Sequence, residues 1–206
     1  MIMIKSFYYN SLDSTMDEAK RLIKAGKIKE TSFVVANNQS RGRGTHGRNW
    51  SSPERAGIYL SVIHLPKKEK YLQTTSLYTF SAGIACVEAI QNITGIKTFI
   101  KPINDIYFQS QKLGGILIES ELTSYGINWL ITGVGINTHN ASRNTDQSTI
   151  APISIQEILP LQDFQNFSTQ LLTEALVSKT CFWHSKVFDG KYKEVEQQWQ
   201  DYKLIE

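Results

Sequence analysis

Two apolar runs, residues 32–36 (SFVVA) and 58–63 (IYLSVI), read as buried strands, and a polar stretch from 37 to about 55 separates them. Whatever this chain folds into must anchor both ends of that stretch on a sheet and leave its middle without regular structure. Within it, QSRGRGTHGRNW at 39–50 sets Gly42, Gly44 and Gly47 close together among Arg41, Arg43 and Arg48. Glycine lets backbone N–H groups approach an anion and arginine supplies the charge, so the segment reads as a phosphate clamp. A surface loop with solvated arginines is the plainer alternative. The match to GxGxxG at these glycines is not a dinucleotide fingerprint, because Asn49-Trp50-Ser51-Ser52-Pro53 cannot open the helix that such a fold requires.

On the N-terminal side, Ser14-Thr15-Met16-Asp17-Glu18 opens an apolar pattern at Ala19, Leu22 and Ile23 that stops at Gly26. This predicts a short helix with a capping box of Thr15 and Glu18. Residues 75–93 carry helical apolar spacing (Leu77, Phe80, Ile84, Val87, Ile90) and end near Gly95. Short strands follow at 97–101, 106–109, 115–120 and 129–136, the second and third joined by a turn at Ser110-Gln111. Residues 137–151 read as a loop, and 164–184 and 191–202 as helices. The fold class is therefore α+β: a mixed, mostly antiparallel sheet flanked by helices.

At 206 residues, 41% hydrophobic and 20% charged, the chain is expected to form one domain, 1–206. The balance of 22 basic against 19 acidic residues favours a local phosphate site over a nucleic-acid face. Cys86 and Cys181 lack the spacing of a zinc site or a disulfide framework, which fits a reducing cytoplasm. The opening MIMIKSFYYN lacks a cleavage pattern, and nowhere do about 18 apolar residues run uninterrupted, so secretion and membrane insertion are not expected.

Further motifs are KPIND at 101–105, KLGGILIE at 112–119 and GVGIN at 133–137. With the Ser14-Thr15 pair and the glycine loop they form an ordered set of five over residues 14 to 137 that resembles the biotin protein ligase family. Members of that family carry a Ser-Thr pair, a GRGRxGRxW loop, a KWPND strand, a KxxGIL strand and a GxGxN strand end. The resemblance implies the class II synthetase-like biotin/lipoyl ligase fold. It also implies an ATP-dependent ligase that makes biotinyl-5′-adenylate and passes biotin to a lysine of a biotin carboxyl carrier domain of a biotin-dependent carboxylase.

Carried onto this sequence, the resemblance places biotin against Ser14, Thr15, Met16, Gln39, Gly42, Arg43, Gly44, Thr45, Lys112 and Gly115. It places the adenylate against Arg43, Arg48, Trp50, Asn104, Asp105 and Asn137, with Lys112 and Arg43 as the catalytic charges. Mg²⁺ is implied with ATP, near Asp105, without a defined ligand set. Each position also has a plainer reading: helix capping for Ser14 and Thr15, an exposed hairpin lysine for Lys112, a core residue for Trp50, a structural pair for Asn104 and Asp105.

Three departures stand out. Thr45 occupies a position where the family usually has arginine, Pro102-Ile103 replaces Trp-Pro, and the chain ends at Tyr202-Lys203-Leu204-Ile205-Glu206, about where relatives begin an SH3-like domain. That domain is expected to be missing, as is a winged-helix segment before Met1, so DNA binding is not expected. Relatives often pair through edge strands, and the pattern does not show which edge is exposed, so a homodimer stays open. The competing expectations are a lipoate or octanoate ligase of the same superfamily and a biotin-binding protein without ligase activity.

Overall fold

The computed structural model describes residues 4–66, 76–124, 126–139 and 151–204. Its elements are β1 (Lys5–Leu12), α1 (Thr15–Lys24), β2 (Ser32–Gln39), β3 (Gly57–His64), α2 (Ser76–Thr94), β4 (Phe99–Lys101), β5 (Asp105–Phe108), β6 (Gln111–Thr123) and β7 (Gly126–Asn137). They are followed by α3 (Ile155–Ile158), α4 (Leu161–Gln165), α5 (Thr169–Phe188) and α6 (Tyr192–Tyr202). The strands form one seven-stranded sheet in the order β1-β2-β3-β7-β6-β5-β4. Only the β1–β2 pairing is parallel, so the mixed, mostly antiparallel sheet expected from the sequence is present.

Side chains alternate across a strand, and this alternation sorts the sheet into two faces. Ile58, Leu60, Val62, Leu130, Val134, Ile136 and Ile116 point into the main core with α2, α5 and α6. The opposite face carries a smaller core in which Val34, Ile63 and Ile131 meet Met16, Ala19 and Leu22 of α1. α1 covers only part of that second face. Beyond its first turn the registered rows are Ser61–Gly133–Leu117 and Tyr59–Gly135–Gly115, short on bulk except at their margins. A sheet paved with glycine and serine leaves a hollow, and that hollow is where the site lies.

Several local expectations change. The N-terminal segment, to which the sequence pattern assigns no element, forms the edge strand β1. Thr15 is not a cap: Ser14 stands at the helix N-cap with no side-chain cap bond, and Glu18 turns instead to Tyr9 and Arg21. The β5–β6 turn falls on Gln109-Ser110, with Gln109 in the left-handed region at φ 53°. The helix expected from Thr75 is seen from Ser76, Thr75 itself lying outside the described residues, and it ends on Gly95 at φ 73°. Of the loop expected at 137–151, residues 140–150 lie outside the described ones. Among the described residues no helix is long and apolar enough to cross a membrane.

Candidate functional site

The hollow is a cavity of about 270 Å³. It is lined by Ser14, Thr15 and Met16 at the start of α1, Gln39 at the end of β2, and Arg43, Gly44, Thr45, Arg48 and Trp50 of the loop. Asn104, Asp105, Lys112, Gly115 and Asn137 complete it from β5, β6, β7 and the turn before β5. Every residue that the resemblance assigns to biotin or the adenylate lines it except Gly42; Arg41 and Gly47 of the same loop do not. A side chain at Gly42 would put its Cβ 2.4 Å from the Trp50 carbonyl oxygen, so this glycine lets the two arms of the loop pack closely.

One wall is a chain of buried hydrogen bonds. The Thr15 backbone N–H and hydroxyl both donate to Gln39 Oε1, at 2.8 and 3.1 Å, and Ser61 Oγ donates to Thr15 Oγ1 at 2.9 Å. Gln39 Nε2 donates to Ser52 Oγ at 2.8 Å, and that hydroxyl donates to the Trp50 carbonyl at 3.1 Å. Buried polar groups cost stability unless paired, so this chain is fixed in one arrangement. Among the described residues, three polar atoms of the lining are buried without a partner: Ser14 Oγ, Arg43 Nε and Trp50 Nε1.

The Trp50 indole lies flat against the glycine row. A Cβ at Gly135 would sit 2.5 Å from the ring and one at Gly115 3.1 Å from it. Lys112 Nζ stands 5.5 Å from the Trp50 ring centroid and pairs with Asp105 Oδ1 at 2.7 Å. The backbone of Lys112 is fixed by Ala151 and Ile153, and Asn137 Nδ2 donates to the Ile153 carbonyl at 3.1 Å. Asn104 Nδ2 donates to the Ile116 carbonyl at 2.9 Å, which holds the turn carrying the Pro102-Ile103 departure onto β6. Ile103 itself is exposed.

In the loop, Thr45–Gly47 is a single 3-10 turn with His46 at φ 56°, and no helix follows, as expected. Arg48 folds back on Thr45, its Nη2 donating to Thr45 Oγ1 at 3.1 Å. Arg43, which lines the cavity, forks onto Glu119 at 2.7 and 3.1 Å, with Asp17 at 2.9 Å. Burial pushes the Glu119 carboxyl up, but its bonds to Arg43 and Lys20 outweigh that and hold it below the usual carboxylate range. Burial alone raises Tyr59, whose hydroxyl donates to the Pro53 carbonyl at 2.9 Å.

Sequence reasoning missed Ser52, Tyr59, Ser61, Gly133 and Glu119. Alternation would have placed Tyr59 and Ser61 with Gly133 and Gly135 on one face, but only once the strand partners are known.

A family model, the biotin/lipoate A/B protein ligase family, matches residues 8–137. The chain belongs to that family. The matched span contains the cavity wall described above, apart from Pro152. The chain is 36% identical over 132 residues to the bifunctional ligase/repressor BirA of Bacillus subtilis, covering 64% of this chain and 40% of that relative. It is 30% identical over 148 residues to the biotin--[acetyl-CoA-carboxylase] ligase of Paracoccus denitrificans, covering 70% of this chain and 60% of the relative. It thus spans about two fifths of the length of the BirA relatives it matches. The fold superposes on a biotin protein ligase from Aquifex aeolicus in complex with biotin and ATP, with a TM-score of 0.78 and 25% identity over 98% of this chain and 79% of that one.

Proposed function

We propose that this chain binds biotin and ATP, joins them as biotinyl-5′-adenylate, and transfers the biotinyl group to a lysine of a biotin carboxyl carrier domain. The observation that carries the reading is a single cavity of about 270 Å³ that brings together the hydrogen-bonded Thr15–Gln39 wall, the Lys112–Asp105 pair and the Trp50 indole. Three buried polar atoms of the lining residues, Ser14 Oγ, Arg43 Nε and Trp50 Nε1, have no protein partner among the described residues, and a bound ligand that reaches them supplies one. A ureido ring offers both N–H donors and a carbonyl acceptor, and Ser14, Thr15 and Gln39 form the wall suited to it. Met16, Gly44, Thr45 and Gly115 would border its apolar body.

In the first step a carboxylate oxygen of biotin attacks the α-phosphorus of ATP, the P–O bond to the β-phosphate breaks, and pyrophosphate leaves with the electron pair. Charge builds on the phosphoryl oxygens, and Lys112, a compact ammonium already fixed by Asp105 and Trp50, is suited to stabilise it. In the second step the carrier lysine amine attacks the acyl carbon, the C–O bond to AMP breaks, and the amine gives up a proton. Arg48, Trp50, Asn104 and Asn137 would border the nucleotide.

The cavity is slightly below the roughly 300–1,000 Å³ of sites that enclose drug-sized molecules. With Trp50 on the glycine row it suits one small acid, and the nucleotide requires that the loop yield. Among the described residues no three His, Cys, Asp or Glu side chains cluster as a metal cage. The Asp105 carboxylate, whose Oδ1 pairs with Lys112, still fits Mg²⁺ brought in on ATP, because that ion takes most of its ligands from water and phosphate. When bound it would neutralise phosphate charge, with Asp105 as the protein ligand.

The reading is supported by relatives described as biotin ligases and by the likeness to a ligase solved with biotin and ATP. Biotin-dependent exchange of labelled pyrophosphate into ATP tests it.

A further inference from the structure

We propose that Glu119 and Asp17 are positioning residues that hold the glycine loop across the cavity by clamping Arg43. The inference rests on the biotin ligase reading for what the loop retains, but not for the clamp itself.

The loop is a narrow hairpin whose arms are tied by Trp50 N–H to the Gly42 carbonyl at 2.8 Å and by Gly44 N–H to the Arg48 carbonyl at 2.7 Å. Arg43 bridges Asn49 across the same hairpin. A force applied at Arg43 is therefore felt at Trp50, the residue lying on the cavity floor.

Arg43 is held from two elements at once. Glu119 on β6 takes both guanidinium nitrogens in a bidentate fork, and Asp17 in the first turn of α1 takes Nη2. Lys20, one turn further along α1, closes the set on Glu119 Oε2 at 2.7 Å. Two cations meet two carboxylates, so the Arg43 charge is matched where it stands and is not offered to a phosphate. Arg43 Nε is buried with no partner, so among the described residues the head group is held through its two terminal nitrogens alone, by Glu119 and Asp17. A planar guanidinium in a bidentate pair is held in direction as well as distance, which lysine cannot reproduce.

The other charged tie of the loop is weaker. Arg41 reaches Asp13 at 3.3 Å with its side chain 79% exposed, whereas the Arg43 side chain is 34% exposed. Exposed pairs of the first kind contribute little. The clamp is thus the stronger of the two charged ties of the hairpin, and its release would loosen the loop above the cavity.

The test combines amide hydrogen exchange of residues 41–50 with escape of the acyl-adenylate into solvent, in Glu119→Gln, Asp17→Asn, Arg43→Gln, Arg43→Lys and the Glu119→Gln/Arg43→Gln double variant. The clamp predicts loop exchange at least about tenfold faster in Glu119→Gln and Arg43→Gln, with no further gain in the double variant, since partners in one interaction are not additive. Asp17→Asn, the milder cut, gives a smaller change, and Arg43→Lys restores little. Adenylate escape rises in parallel, while KM for ATP rises more than kcat of pyrophosphate exchange falls. If loop exchange in Glu119→Gln and Asp17→Asn stays at the wild-type rate while Arg43→Gln abolishes pyrophosphate exchange, Arg43 acts directly on the phosphate and the clamp is wrong. Should the wild type show no biotin-dependent exchange, the function reading fails, and the amide data alone still decide the clamp.

Discussion

Gln39 Oε1 accepts two hydrogen bonds from Thr15, one from its backbone N–H and one from its hydroxyl. The two residues lie 24 positions apart, and the pairing welds the start of α1 to the end of β2. Replacing Gln39 with leucine leaves the Thr15 N–H unpaired in a buried wall, which costs about 1–3 kcal/mol. The expected result is a lower urea midpoint together with roughly ten- to hundredfold weaker biotin binding by calorimetry. Unchanged biotin affinity would remove this wall from the site.

Lys112→Ala should lower the rate of adenylate formation by about 10²–10³, the range seen when one transition-state donor is removed. Lys112→Arg should not restore it, because a planar fork does not match a point charge set between Asp105 and Trp50. Single-turnover kinetics with saturating biotin separate this effect from weaker binding.

Two glycines on the same strand should respond differently. A Cβ at Gly135 strikes the rigid Trp50 indole at 2.5 Å, whereas one at Gly133 meets the flexible Met16 Sδ at 2.8 Å. Gly135→Ala should displace Trp50 and raise KM for ATP about tenfold, equivalent to about 1.4 kcal/mol. Gly133→Ala should cost less than about 1.5 kcal/mol of stability, since methionine can repack. Tryptophan fluorescence and steady-state kinetics of the two variants check the contrast.

Stability should fall in mild acid. His64 and His184 pack 5.0 Å apart between β3 and α5, with Tyr78 of α2 beside His184. Burial lowers His64 to about 4, and burial, helped by the neighbouring ring, lowers His184 as well. A histidine held neutral in the fold contributes stability that is present above its unfolded pKa near 6.5 and declines as pH falls toward the folded value. The urea midpoint should therefore drop between pH 7 and 5, by up to about 1.4 kcal/mol per pH unit for each ring. His64→Leu should flatten part of that slope, since neither ring nitrogen of His64 has a partner. A level profile in the wild type contradicts the account.

The strands β2 and β3 were legible as apolar runs because both of their faces are buried, and the main helices and β6 and β7 from the spacing of their apolar residues. β1 was not: it lies at the sheet edge, its alternation is short and none of its side chains is fully buried, and backbone bonds to β2 hold it in place. The site was legible as a set of residues because its motifs are local in sequence. Its wiring was not. The capping box expected at Thr15 gave way to a glutamine from another strand, and the loop charge expected to face a phosphate, Arg43, is matched by a carboxylate 76 positions away. Local sequence shows which groups need partners, but only the fold supplies them.

The central claim is that this cavity activates biotin with ATP. Exchange of labelled pyrophosphate into ATP by the purified chain, with and without biotin and with Lys112→Ala as control, tests it most directly. The account predicts exchange that requires biotin and falls to near background in the variant. Biotin binding without exchange, or exchange driven by lipoate or octanoate instead, would contradict it.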